Sequence, residues 1–290
     1  MDVYTIVTEK IISLLQEGVV PWRQPWVASG LPRNLISRKP YRGVNVFLLS
    51  ASKFCSPYWL TIRQVAQLSG YIRKGEKGTL IVYWKIEKRE RADIDTQEIE
   101  EDRRTRFLLR YYRIWNLEQC DLPQKVLSKL PMTEVHEHFP IEATEQIVSA
   151  MPLRPEIVRA GSKAFYNLAN DRITLPPSRL FVSPEEEACT TLHEISHASG
   201  HPKRLNRPSI TEAAPFGSPT YSFEEIVAEM SAAYLCAEAG ISPAVIQNEA
   251  AYIQGWLAQL RSDRHMVVRA AAHAQRAADY ILGRTTTADG

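Results

Sequence analysis

The densest chemistry in this chain of 290 residues lies in one pentapeptide, His193-Glu194-Ile195-Ser196-His197. On a helix, residues four apart share a face, so two imidazoles can hold a single zinc ion with Glu194 beside its open coordination position. A cation there polarises a scissile carbonyl and acidifies water, and the Glu194 carboxylate takes the proton as general base. Two histidines at a polar helix end can also be ordinary hydrogen-bonded residues, so context decides. Ser183 reads as an N-cap and Pro184 as the first helical residue. Glu185, Glu186 and Glu187 fill the first turn, where the helix dipole favours them. Gly200 closes the segment, which puts the pentapeptide at the end of a capped helix, before a loop.

A catalytic zinc needs a third protein ligand. The HExxHxxGxxH spacing is broken, because Gly200 is present but residue 203 is lysine, and His201 reads as a loop residue. The stretch SFEEIVAEMSAAYL (222–235) offers carboxylates instead. Ser222 and Glu225 fit a capping box, which gives Glu225 a structural task. Glu229, one turn further on with Ala232 and Ala233 behind it, is the expected third ligand. Glu225 is the alternative ligand or the carboxylate that braces a histidine. Residues 166–175 offer an edge strand to an extended peptide, and Tyr221 or another nearby Tyr or His is a candidate for stabilising an oxyanion.

The other chemistry is spread over the first part of the chain. Residues 1–85 carry 12 Lys+Arg against 4 Asp+Glu, so a whole-chain charge of +2 hides +8 here and −6 beyond. Five of the six tryptophans precede residue 120. Basic side chains track phosphates and aromatic rings stack on bases with little sequence preference, so this half has the parts for single-stranded DNA. Candidate phosphate contacts are Arg33, Arg38, Lys39, Arg42, Arg73, Lys74 and Lys77; candidate stacking residues are Trp22, Trp26, Tyr41 and Trp59. A tryptophan is more often core than platform, and a lone lysine is usually only solvated. The charge asymmetry and aromatic clustering together favour DNA.

The elements that must position these groups follow from pattern. Residues 1–18 read as an amphipathic helix without the basic start and cleavage site of a signal peptide. Val44–Lys53 and Thr61–Ser69 read as short helices, and Thr79–Glu87 and Phe107–Trp115 as an antiparallel strand pair around a charged insertion. Proline-rich residues 117–140 look like a boundary. Beyond it come a helix at Ile141–Met151, short strands at 165–167 and 172–175, and helices at Ser183–His197, Ser222–Ala239 and within 245–282. The expected class is α+β with two domains: a small mixed DNA-binding domain over 1–122, a linker over 123–140, and a mainly helical zincin-like domain over 141–290. With 44% hydrophobic residues the chain has material for two cores, which excludes a disordered protein. Cys55, Cys120, Cys189 and Cys236 form no CxxC pair and suit a reducing cytoplasm. No stretch approaches the roughly 18–20 apolar residues of a membrane span.

Several of these stretches resemble one family. HEISHASGHPKRLNR followed by FEEIVAEMSAAYL is similar to the zincin-like domain of the ArdC antirestriction proteins. PWRQPW, Tyr41-Arg42-Gly43-Val44-Asn45, Trp59-Leu60-Thr61 and RKGEKGT extend the resemblance over nearly the whole chain. It implies a plasmid-encoded protein that shields incoming DNA from host restriction during conjugation, through an N-terminal single-stranded-DNA-binding domain related to that of plasmid primases. One zinc per chain, or another divalent metal, is the implied cofactor. Duplex DNA is a second nucleic-acid partner. Two alternatives stay open: a regulatory metalloprotease that cleaves a host protein, and a DNA-coating protein with a vestigial zinc site.

Overall fold

A computed structural model describes residues 2–17, 19–23, 31–52, 54–87, 106–130, 140–212, 218–241 and 249–284. Its helices are α1 (Val3–Gln16), α2 (Val44–Ser50), α3 (Ile62–Gln67), α4 (Gln124–Leu127), α5 (Pro140–Ala150), α6 (Pro184–Ala198), α7 (Pro208–Thr211), α8 (Pro219–Ala239), α9 (Glu249–Ser262) and α10 (Met266–Ile281). Its strands are β1 (Arg33–Asn34), β2 (Tyr58–Leu60), β3 (Tyr71–Ile72), β4 (Thr79–Glu87), β5 (Arg106–Asn116), β6 (Cys120–Asp121), β7 (Glu156–Arg159), β8 (Phe165–Asn167) and β9 (Arg172–Leu175). The class is α+β, as expected. No helix among the described residues is long and apolar enough to cross a membrane.

The N-terminal half is built on a four-stranded sheet of order β1-β2-β5-β4. Thr79 pairs with Ile114 and Glu87 with Arg106, an uninterrupted antiparallel ladder. Period-two alternation puts Trp59, Ile81 and Ile114 into one buried cluster and Tyr58 and Leu60 into another. β4 is an edge strand, and the Asn45 side chain meets it as a peptide group would. Asn45 Nδ2 donates to the Val82 carbonyl at 2.7 Å, and the Val82 amide donates back to Asn45 Oδ1 at 2.8 Å. That pairing satisfies backbone groups an open edge would expose. The charged insertion lies at 88–105, outside the described residues.

In the C-terminal half, helices pack around α8, with α6 and α10 against it. A three-stranded sheet of order β7-β9-β8 covers α6, with β8 both at the edge and in contact with that helix. Arg204, its side chain wholly buried, ties the two layers together. It donates to the Ala198 carbonyl at 2.7 Å, to the Tyr166 hydroxyl at 3.3 Å and to Asp171 of the β8–β9 turn.

One continuous core runs through both halves. Val7, Ile11, Trp22 and Phe47 belong to the same buried cluster as Tyr234, Trp256 and Val267. Phe47 stacks on Tyr234 with centroids 4.9 Å apart, and Trp22 meets Trp256 edge-on at 5.2 Å. The proline-rich boundary stretch 117–140 holds β6 and α4, of which α4 falls in the expected linker, and residues 131–139 lie outside the described set.

Candidate metal centre and the basic aromatic half

α6 forms as its sequence dictates. The Ser183 side chain accepts from the Glu186 amide, Pro184 opens the helix, and the glutamates occupy its first turn. The last turn brings the two imidazoles together, with Nε2 atoms 3.0 Å apart. α8 starts one turn earlier than its S-x-x-E pattern suggests, at the N-cap Ser218, whose side chain accepts from the Tyr221 amide. Ser222 is therefore inside the helix, and Glu225 has no capping task.

Glu225 is the carboxylate brought to the imidazoles. Its oxygens lie 3.6 Å from His193 Nε2 and 3.7 Å from His197 Nε2, one facing each ring. Ligand atoms of His193, His197 and Glu225 all fall within 4.8 Å of one another. Glu229, the carboxylate expected there, stands a turn further along α8, outside this group, and acts on His193 through its charge. Which glutamate of an i, i+4 pair reaches α6 depends on the axial register of α8, whose N-cap is Ser218. Tyr221, the oxyanion candidate, hydrogen-bonds Glu225.

The partner of His197 is Glu224, whose Oε1 lies 3.3 Å from Nδ1. A carboxylate on one ring nitrogen orients the imidazole and leaves the other facing the cluster. Arg207 in turn fixes Glu224, donating from Nη2 at 2.5 Å and from Nε at 3.1 Å, while Ser209 Oγ donates at 2.5 Å. Arg207 also donates to Ser199 Oγ and to the Ser196 carbonyl, so it clamps the end of α6 to the start of α8. Gly200 makes this approach possible, since a Cβ there would lie 3.0 Å from the guanidinium and 2.8 Å from Ile210. Arg207 and Glu224 fall within the two stretches that carry the family resemblance, but no local spacing pairs them with each other or with Ser209.

The electrostatics of the cluster favour a cation. Burial opposes protonation of His193, yet Glu225, Glu194 and Glu229 raise its pKa to about 9. Burial would lift the Glu225 carboxyl, but the two imidazoles hold it down at about 2. Burial acts likewise on Glu224, and the Arg207 guanidinium and His197 outweigh it, again to about 2. Two imidazole nitrogens and a carboxylate, with Glu194 buried beside them, suit one borderline-soft divalent ion.

The basic aromatic half departs further from expectation. Trp22 is 1% exposed and Trp59 is 2% exposed, so neither can stack on a base. Both lie in close-packed clusters. Trp22→Ala or Trp59→Ala is expected to cost about 3–5 kcal/mol in chemical denaturation, the range for deleting a buried aromatic. A stable Trp59→Ala protein with impaired DNA binding would reverse that assignment. Tyr41 packs on the Trp59 cluster, and burial pushes its hydroxyl up to about 12. Arg42 is an ion-pair partner of the buried Asp279 on α10. Gly43, at φ +56°, accepts from the Tyr234 hydroxyl and donates its amide to Gln275. The Tyr-Arg-Gly-Val-Asn stretch is thus a clasp joining sheet and helices, with Arg42 held by that clasp. Arg38 lies over the Tyr58 ring, and Arg73 faces Glu76 and Asp121 at 3.9 Å each. Lys39, Lys74 and Lys77 are exposed, while Trp26 lies outside the described residues. Among the described residues of this half, the exposed aromatic side chains are tyrosines: Tyr71, Tyr83, Tyr111 and Tyr112.

Comparison with known proteins matches this division. Residues 1–115 match the N-terminal domain of anti-restriction factor ArdC, and residues 142–273 match a zincin-like metallopeptidase. An uncharacterized protein of Sinorhizobium fredii, y4eC, is 34% identical, covering 99% of this chain and 94% of its own. DNA primase TraC of Escherichia coli is 33% identical over 95% of this chain, which spans only 26% of the primase. Among solved structures, the antirestriction ArdC protein from the R388 plasmid, in its Mn(II)-bound form, is 32% identical with a TM-score of 0.75 and 97% coverage of each chain. Full-length similarity in both sequence and fold, over the same pair of matched segments, makes the chain a member of the ArdC antirestriction family.

Proposed function

We propose that this protein shields incoming DNA from restriction by occupying it as a single strand through the N-terminal half. The C-terminal half holds one divalent cation, zinc by ligand chemistry, between His193, His197 and Glu225. The observation that carries the metal assignment is the convergence of those three ligand atoms within 4.8 Å. The +8 charge of residues 1–85 supports a nucleic-acid ligand, as does homology to a segment of a protein named DNA primase. The relative whose bound ion is Mn(II) supports a divalent metal.

When bound, such an ion supplies Lewis-acid polarisation and a lowered pKa for water. This chain's own residues do the rest. Glu224 holds the proton of His197 at Nδ1, which leaves Nε2 as a donor to the ion. Tyr221 orients Glu225. Glu194 lies next to a ligand in sequence and serves as the base that holds a proton between steps. The second reading, a peptidase that cleaves a protein, is favoured by β8, an edge strand seated on α6 where an extended chain can pair.

The DNA assignment is tested by titrating the full chain against a labelled oligo(dT) at several salt concentrations. The logarithm of affinity should fall linearly with the logarithm of salt, by about 0.7 for each phosphate neutralised on a single strand. A flat salt dependence would contradict it.

A further inference from the structure

With Trp22 and Trp59 buried, a single strand needs another platform. One face of the β4–β5 hairpin supplies it. Along that face the buried pair Ile81 and Ile114 gives way to Tyr112 and then Tyr83, 39% and 43% exposed. Ile81 stands opposite Tyr112, and Tyr83 opposite Arg110, so the two tyrosines are diagonal neighbours. Their centroids are 5.4 Å apart with planes at 66°. Tyr41 packs against the same buried pair and is close enough to Tyr112 for their charges to interact, so it continues the row. Arg110 is exposed on this face, and the register continues it with Lys85 opposite Leu108 and Glu87 opposite Arg106.

We propose that Tyr112 and Tyr83 form a stacking track for the bases of a single-stranded nucleic acid, with Arg110 beside it for the phosphates. This rests on the single-strand reading above and assigns it a surface. A diagonal tyrosine pair can also serve only to stabilise a hairpin. Two features favour a ligand: each tyrosine is about two-fifths exposed, and in the same register the basic residues Lys85, Arg106 and Arg110 outnumber the one acidic residue, Glu87. Stacking uses the face of the ring and tolerates every base, and a duplex offers no unstacked base to it.

The test uses the full chain, the double variants Tyr83→Ala/Tyr112→Ala and Tyr83→Phe/Tyr112→Phe, and labelled oligo(dT). The alanine variant should bind about tenfold or more weakly, since each base-stacking ring contributes roughly a five- to hundredfold factor. The phenylalanine variant should match wild type, and binding to a duplex of equal length should be unchanged by either substitution. Circular dichroism guards against misfolding. Independently of any variant, an oligonucleotide carrying 5-iodouracil, irradiated on the wild-type protein, should cross-link within residues 79–87 or 106–116. Wild-type affinity for oligo(dT) in a folded alanine variant, or cross-links confined to other segments, overturns the track and leaves the single-strand reading standing. Failure of wild type itself to bind oligo(dT) overturns both.

Discussion

Replacing either His193 or His197 with alanine is expected to abolish retention of the divalent ion, measured by elemental analysis after dialysis. Each supplies one of the three ligand atoms that converge among the described residues, and a site left with one imidazole and one carboxylate has lost the tetrahedral set. Among the glutamates, Glu225→Ala should reduce retention more than Glu229→Ala, because Glu225 presents an oxygen to each ring while Glu229 contributes charge from a turn away. Full metal occupancy in the His193→Ala/His197→Ala double variant would remove the basis for the centre.

Arg207→Ala carries the next largest effect. Arg207 and Glu224 are 3% and 5% exposed, and removing one partner of a buried ion pair leaves an uncompensated charge at about 3–5 kcal/mol. Because Glu224 braces His197, metal affinity should fall as well, by roughly 10–100-fold, as is usual when the support of a ligand is lost. Denaturant titration and competitive chelation measure the two parts. Arg207→Lys should recover little, since an ammonium cannot make the two-pronged contact to Glu224 together with those to Ser199 and Ser196. Unchanged stability with unchanged metal affinity would show that this clamp does not hold the site.

Local chemistry made α6 legible: a serine cap, a proline, three acidic residues and a pair of histidines four apart all lie within one helix. β4 and β5 were legible for the same reason, since their alternation is written in consecutive residues. The placement of Glu225 rather than Glu229 beside the imidazoles was not. Glu225 and Glu229 share a helix face, and choosing between them requires the register of α8 against α6, which is set by the Arg207 clamp and a helix start at Ser218. The capping-box pattern at Ser222 competed with that start and gave Glu225 a structural task, which left it the second choice. The surface of the N-terminal half was misread by residue type, because tryptophan draws attention as a stacking ring whereas its area makes it core. Period two along β4 and β5 does place Tyr83 and Tyr112 on the Ile81–Ile114 face. The Arg42–Asp279 pair and the shared core join residues more than 200 apart, and no local pattern announces them.

The central claim is that protection comes from occupying DNA and not from cleaving a host factor. It is tested most directly by the survival of transferred DNA in a restricting host that carries either wild type or Glu194→Ala at equal protein levels. Glu194 is not among the three ligands, so the variant should keep its fold, metal and DNA binding while losing the general base, a change that lowers dependent catalysis by about 10²–10⁴. The account predicts equal protection from both proteins. Loss of protection in a folded, metal-loaded, DNA-binding Glu194→Ala protein would contradict it.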